Sequence, residues 1–290
     1  MIYIYVILCI LIIVIILILY INRKDLFINQ DDKLTIPKLY YCTFYTDNLK
    51  DIMYEHKTKV EPYVDNFYAF NKNDIINLGG DKYVRAFSDE HILKPNPGLH
   101  RMQFGAYKPF ILLYLLKNAK ENDIIIFRDV NIKKYPAYIT EIENIKETAK
   151  YIQTFNKQNI VMPIEENPQK NNKLLKNLCR KKVLDMLSFN DNIKNYQCLG
   201  ANIIIVKKSS VSIKHLQEWA ELCLNDELLS PITGPDEEDD FMHHCPEQAL
   251  FSIMMANKSE QGIVEKNYPG VYMTNRTFSK NHIFEYKISK

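Results

Sequence analysis

Two spacings of apolar residues alternate along this chain. Short continuous apolar runs rich in β-branched and aromatic residues predict strands at residues 38–45 (KLYYCTFY), 64–70 (VDNFYAF), 123–127 (DIIIF), 160–163 (IVMP), 197–206 (QCLGANIIIV) and 263–273. Between them, helical spacing predicts helices at 47–60, from Lys108-Pro109 onward, at 173–187 with a basic face, at 211–224 around the lone Trp219, and from Glu247 onward. Residues 71–74 read as a turn. Residues 75–99 read as a Gly, Pro and Asp rich connection without periodicity, and 136–158 as mixed helix and loop. Strands alternating with helices predict an α/β fold. DIIIF, apolar at every position after its first, is the pattern of a central parallel strand covered on both faces, so a mixed, mostly parallel sheet between helices is expected.

Residues 1–21 carry no charge and are almost wholly Ile, Leu, Val and Tyr. As a helix they would reach about 31 Å, enough to span a bilayer. With no basic n-region and no small-residue cleavage site, they read as a retained membrane anchor, followed by a polar stem at 22–37 and one domain at 38–290. Arg23 and Lys24 follow the span, which by the positive-inside rule keeps the domain cytosolic.

Charge and cysteines narrow the classes. The net charge is +2, with acidic and basic residues mixed, so nothing marks a nucleic-acid binder. The six cysteines are scattered without CxxC or another metal spacing, and neither a nucleophile elbow nor HExxH is present. The run 236–240 (DEEDD) reads as a solvated, mobile loop, because adjacent like charges repel and lack ligand spacing.

Candidate chemistry gathers at strand ends. Arg128, Asp129, Val130 and Asn131 follow DIIIF, at the carboxyl edge where open α/β sheets bind ligands. Alternation turns Asp129 and Asn131 one way and Arg128 the other, and the first two offer hard oxygens to a divalent cation. Lys108 stands at a helix start, where a cation opposes the dipole; a bound anion would repair this, and Gly105 lets the chain approach closely. Thr43, Phe44 and Tyr45 end the first strand at the same edge. Arg85, His100 and Arg101 precede the helix as candidate phosphate ligands.

The order of these blocks resembles GT-A type glycosyltransferases: first strand with Thr43-Phe44, Gly105 then Lys108-Pro109, DIIIF with Asp129-Val130-Asn131, the GANIII strand, and His243-His244-Cys245-Pro246-Glu247-Gln248. The resemblance covers most of the chain after the stem. It implies a GT-A domain that moves a hexose or N-acetylhexosamine from a nucleotide diphosphate sugar to a glycan or protein hydroxyl. It further implies donor binding by Thr43, Phe44, Tyr45, Arg101, Lys108, Arg128 and Asp129, and Mn²⁺ or Mg²⁺ held by Asp129, Asn131 and His244. Glu247 would bind the acceptor or act as base. Two departures stand out: Asn131 replaces an acid of the DxD motif, and Glu247 replaces the usual Asp. The resemblance also implies a type II protein facing the Golgi or ER lumen, against the positive-inside reading. A membrane-tethered binder of nucleotide sugars or glycans, keeping the fold without turnover, is the alternative that the Asn131 departure leaves open.

Overall fold

The strand-forming runs build one mixed sheet, seen in a computed structural model that describes residues 37–87, 99–130, 159–165, 174–263 and 270–273. The first strand, β1 (Leu39–Phe44), leads through a 3-10 turn into α1 (Lys50–Val60). Then come β2 (Asn66–Phe70), α2 (Lys72–Asn77), α3 (Tyr107–Asn118) and β3 (Ile124–Arg128). Next are β4 (Ile160–Glu165), α4 (Leu175–Leu178), α5 (Lys181–Leu187) and β5 (Ile203–Lys207). The chain continues with α6 (Ser210–Leu222), α7 (Asp226–Leu229), α8 (Pro246–Glu260) and β6 (Gly270–Met273). These residues belong to one compact unit, Pro37–Lys290.

The strand order is β2-β1-β3-β5-β4-β6. β1 pairs in parallel with β2 and β3, and β4 with β6, whereas β5 runs antiparallel to both β3 and β4. The sheet is therefore mixed, as expected, with the GANIII strand supplying the reversed direction. This reversal has a positional consequence: the beginning of β5, not its end, lies at the carboxyl edge of β1 and β3.

Alternation divides the core between the two faces. Ile125 and Phe127 of β3, with Cys42 and Phe44 of β1, pack into the larger cluster with residues of α3, α6 and α8. Ile124, Ile126, Leu39 and Tyr41 face a smaller cluster with Val60 of α1. All five residues of β3 are buried, which explains why this strand reads as an unbroken apolar run.

Several local expectations differ from the structure. The turn expected at 71–74 opens α2, because Asn71 accepts from the backbone of Asn73 and Asp74 while Asp74 caps back to Asn71. The single basic helix expected at 173–187 is two short helices, separated at Cys179 and Arg180. Arg180 is buried, with its guanidinium donating to the carbonyls of Ile232 and Glu227, so this part of the basic face points inward. Nor is DEEDD merely solvated. Glu237 accepts from the backbone of Lys181, while Asp240 pairs with Lys176 at 2.5 Å and Glu238 with Lys194 at 3.5 Å.

The expected anchor at 1–21, the stem at 22–36 and Asn131 lie outside the described residues. Among the described residues no helix is long and apolar enough to cross a membrane.

Candidate functional site

The first turn of α3 exposes the problem posed by Lys108. Ala106 precedes the helix, Lys108 is its second residue, and the side chain is 5% exposed. A cation so placed faces both the positive end of the helix and the loss of water. The protein's own carboxylates meet this need, where a bound anion was expected. Lys108 Nζ donates to Glu247 Oε1 at 3.0 Å, to the Ala201 carbonyl at 3.0 Å and to Asp129 Oδ2 at 3.3 Å. An ammonium has three donors, and here all three have acceptors. Its ammonium also lies 5.7 Å from the centroid of the Phe127 ring.

Each partner arrives from a different part of the fold. Asp129 follows the last residue of β3, Ala201 precedes β5, and Glu247 is in the first turn of α8, 139 residues from Lys108. Two features seat Glu247. Gly105, at φ +69°, takes the left-handed conformation that glycine tolerates, and a Cβ there would lie 2.7 Å from Glu247 Cδ. On the other side, Trp219 Nε1 donates to the Glu247 carbonyl at 2.8 Å, so the lone Trp packs in the core and also holds the first turn of α8.

The electrostatics follow from this packing. Burial alone would lower the Lys108 ammonium, but Asp129 and Glu247 outweigh it and hold the group charged above its usual range. Asp129 is pushed up by desolvation, opposed by Lys108 and reinforced by Glu247. Its side chain is nonetheless 39% exposed, against 15% for Glu247. The cluster therefore shows solvent a carboxylate, with the lysine beneath it. Tyr107, stacked on Phe44 at 3.9 Å between ring centroids, has its hydroxyl pKa raised by burial and by the nearby Asp129.

Other candidates from the sequence occupy different places. Thr43 is buried and donates to the Arg128 carbonyl at 2.7 Å, tying β1 to β3 rather than facing a base. Phe44 is buried against Tyr107, while Tyr45 stays half-exposed at the edge and accepts from Asn71 Nδ2 at 3.2 Å. Arg101 is buried and paired with Asp226 at 2.6 Å, with a further bond to the Lys82 carbonyl, so its charge is engaged within the fold. Arg85 is exposed, and its carbonyl accepts from the Arg101 backbone; His100 is half-buried. Arg128 is buried on the sheet face of Ile124 and Ile126, opposite that of Phe127 and Asp129.

His244 is also committed. Nδ1 accepts from the Arg180 backbone at 3.3 Å and Nε2 lies 3.1 Å from the Leu228 carbonyl. Both ring nitrogens are used, leaving no lone pair for a metal. Burial lowers its pKa to about 4.

Among the described residues, no three His, Cys, Asp or Glu side chains form a group able to hold a metal ion. One oxygen donor was missed in the sequence because it is a neutral amide inside the GANIII block, which reads only as a buried strand. The Oδ1 of Asn202 is buried without a hydrogen-bond partner among the described residues. Its backbone carbonyl accepts from Asp129 N–H at 3.0 Å, placing it beside the exposed carboxylate. Asp129 and Asn202 thus offer hard oxygens of the kind Mn²⁺ or Mg²⁺ takes. Comparison of the chain with family models, with curated proteins and with solved structures found no match.

Proposed function

We propose that this chain is a glycosyltransferase of GT-A type, moving a hexose or N-acetylhexosamine from a nucleotide diphosphate sugar to a glycan or protein hydroxyl. The observation that carries the reading is the convergence of Lys108, Asp129 and Glu247 at the carboxyl edge of β1 and β3. Open α/β sheets bind ligands at that edge, and their chemistry needs charge fixed before the substrate arrives.

In this reading Asp129 is the solvent-facing ligand of Mn²⁺ or Mg²⁺, and a bound cation would offset charge developing on a diphosphate leaving group. Lys108 acts from below, fixing Asp129 Oδ2 and Glu247 Oε1. Glu247 keeps its second oxygen for an acceptor hydroxyl. Gly105 leaves room for Glu247, and the Ala201 carbonyl helps hold Lys108. Residues 1–21 would hold the domain at a membrane.

One observation favours a second reading, a nucleotide-sugar or glycan binder without turnover. The Lys108 donors are all taken, so the lysine is not free to neutralise a leaving group directly.

The two readings separate in one assay. The full chain is screened against nucleotide sugars for nucleotide diphosphate release, with Mn²⁺ and with chelator, beside Asp129→Ala. The transferase reading expects metal-dependent release, cut roughly 10²-fold or more by Asp129→Ala. Binding of a nucleotide sugar without release would replace it with the binder; release unaffected by Asp129→Ala would remove Asp129 from the chemistry.

A further inference from the structure

The pairing of β3 with β5 places a second oxygen next to Asp129. Arg128 stands opposite Ile203 in the antiparallel register, so the next step sets Asp129 opposite Asn202. The backbone agrees, since Asp129 N–H donates to the Asn202 carbonyl at 3.0 Å. Directly opposed residues of an antiparallel pair share a face, with Cβ atoms about 4.5–5.5 Å apart. That face is the one bearing Phe127 and Ile204, toward α3 and α8, where Lys108 and Glu247 lie.

Asn202 is unusual there. A buried amide oxygen without a partner costs free energy, and native proteins leave few such atoms. Asn202 Oδ1 is one of them among the described residues, whereas the neighbouring polar groups are satisfied: Ala201 N–H by Gln248 Oε1 at 3.4 Å and the Ala201 carbonyl by Lys108. The orphan can be satisfied only by a hydrogen-bond donor or a cation. Local charge decides between them. On this face of the sheet the Lys108 ammonium stands against the Asp129 and Glu247 carboxylates, while Arg128 adds its charge to Asp129 from the opposite face, so the carboxylates beside the orphan favour a cation. Lys108 holds Asp129 Oδ2, and Asp129 Oδ1 has no partner among the described residues.

We propose that Asn202 Oδ1 and Asp129 Oδ1 together form the protein's oxygen pair for a divalent cation, with Asn202 in the ligand role that the sequence alone assigned to Asn131. The inference rests on the transferase reading for its purpose, but its geometry stands apart from that reading. A cation bound there satisfies the orphan amide and keeps Asp129 turned toward β5. The ammonium of Lys108 beneath limits affinity, so the pair binds the bare ion weakly and leaves most of the coordination shell open.

The test uses Mn²⁺ alone, with no nucleotide sugar, titrated into the full-length chain and followed by electron paramagnetic resonance of the free ion. Wild type is expected to bind Mn²⁺, Asp129→Ala to lose binding, and Asn202→Ala to weaken it by about tenfold or more. Asn202→Asp, nearly isosteric and adding a charge, is expected to tighten it, and this variant decides the matter if Asn202→Ala does not fold. Wild type that binds no Mn²⁺, Asn202→Ala that binds as wild type does, or Asn202→Asp that binds no tighter would each overturn the assignment. Failure of the transferase reading looks different. Mn²⁺ binding that depends on Asn202, without diphosphate release from any nucleotide sugar, sinks the transferase and keeps the ion site. Transfer that persists in chelator, with Mn²⁺ binding indifferent to Asn202, does the reverse.

Discussion

Gly105 and Glu247 compete for the same space: a methyl group on Gly105 would lie 2.7 Å from Glu247 Cδ and 2.8 Å from Oε1. The left-handed turn before α3 and the acid in the first turn of α8 are thus fitted to one another. Lys108, three residues beyond Gly105, donates to Glu247 Oε1 at 3.0 Å because the acid can lie across the glycine.

Gly105→Ala should cost stability twice, through φ strain of about 1–2 kcal/mol and through displacement of Glu247. Glu247→Ser removes the second cost, so the double variant should lose less than the sum of the single variants. Urea denaturation of all four proteins completes the cycle. Strict additivity would mean that the two residues do not meet.

Lys108→Met should be strongly destabilising, by about 3–5 kcal/mol, because two carboxylates lose the cation that compensates them. Adding Glu247→Gln removes one of the two charges and should recover part of that loss. The effect should persist in high salt, since Lys108 and Glu247 are shielded from screening ions. A single variant as stable as wild type would show that the lysine is dispensable to the fold.

The elements were legible in the sequence where one periodicity ran without competition. DIIIF is buried throughout, and Asp129 emerges at its end as the pattern required. Legibility failed where one residue type serves two purposes. Asn71 and Asp74 suit a turn or a helix cap equally, and here they cap α2. Patterns also predict positions better than contacts. Lys108 reads as a helix-start cation awaiting an anion, but only the fold shows Glu247 arriving from 139 residues away. Arg101, Arg180 and His244 have polar side chains that sequence assigns to the surface or to a ligand, yet carbonyls, backbone N–H groups or a carboxylate receive them inside the protein. Asn202 stands in the GANIII block but did not mark itself as a ligand, because its significance lies in a cross-strand neighbour and an unused oxygen.

Acid should weaken the fold before its carboxylates titrate. Burial lowers His56 to about 3 and His244 to about 4, with nearby cations adding to the effect. The unfolded chain binds these protons near the ordinary value of about 6.5. Their contribution to stability is therefore complete above pH 6.5 and declines as pH falls toward 4 and then 3. Stability measured by urea should drop between pH 7 and pH 5, and His244→Gln should flatten that slope, whatever its own cost at pH 7. An unchanged slope would show that His244 is already accessible to protons in the folded protein.

Arg101 separates a structural cation from a ligand-binding one. Its guanidinium is 4% exposed and meets an Asp226 side chain that is 9% exposed, at 2.6 Å. Removing one member of such a pair strands the other, so Arg101→Met should destabilise by about 3–5 kcal/mol. Replacing both, as Arg101→Met with Asp226→Leu, should restore much of the loss, because buried pairs are often matched by apolar residues of similar volume. Nucleotide-sugar affinity is the discriminating measurement. If Arg101 serves only the fold, the double variant, once folded, binds nucleotide sugars as wild type does. A double variant that regains stability but loses that affinity would return Arg101 to the donor site, as the sequence alone suggests.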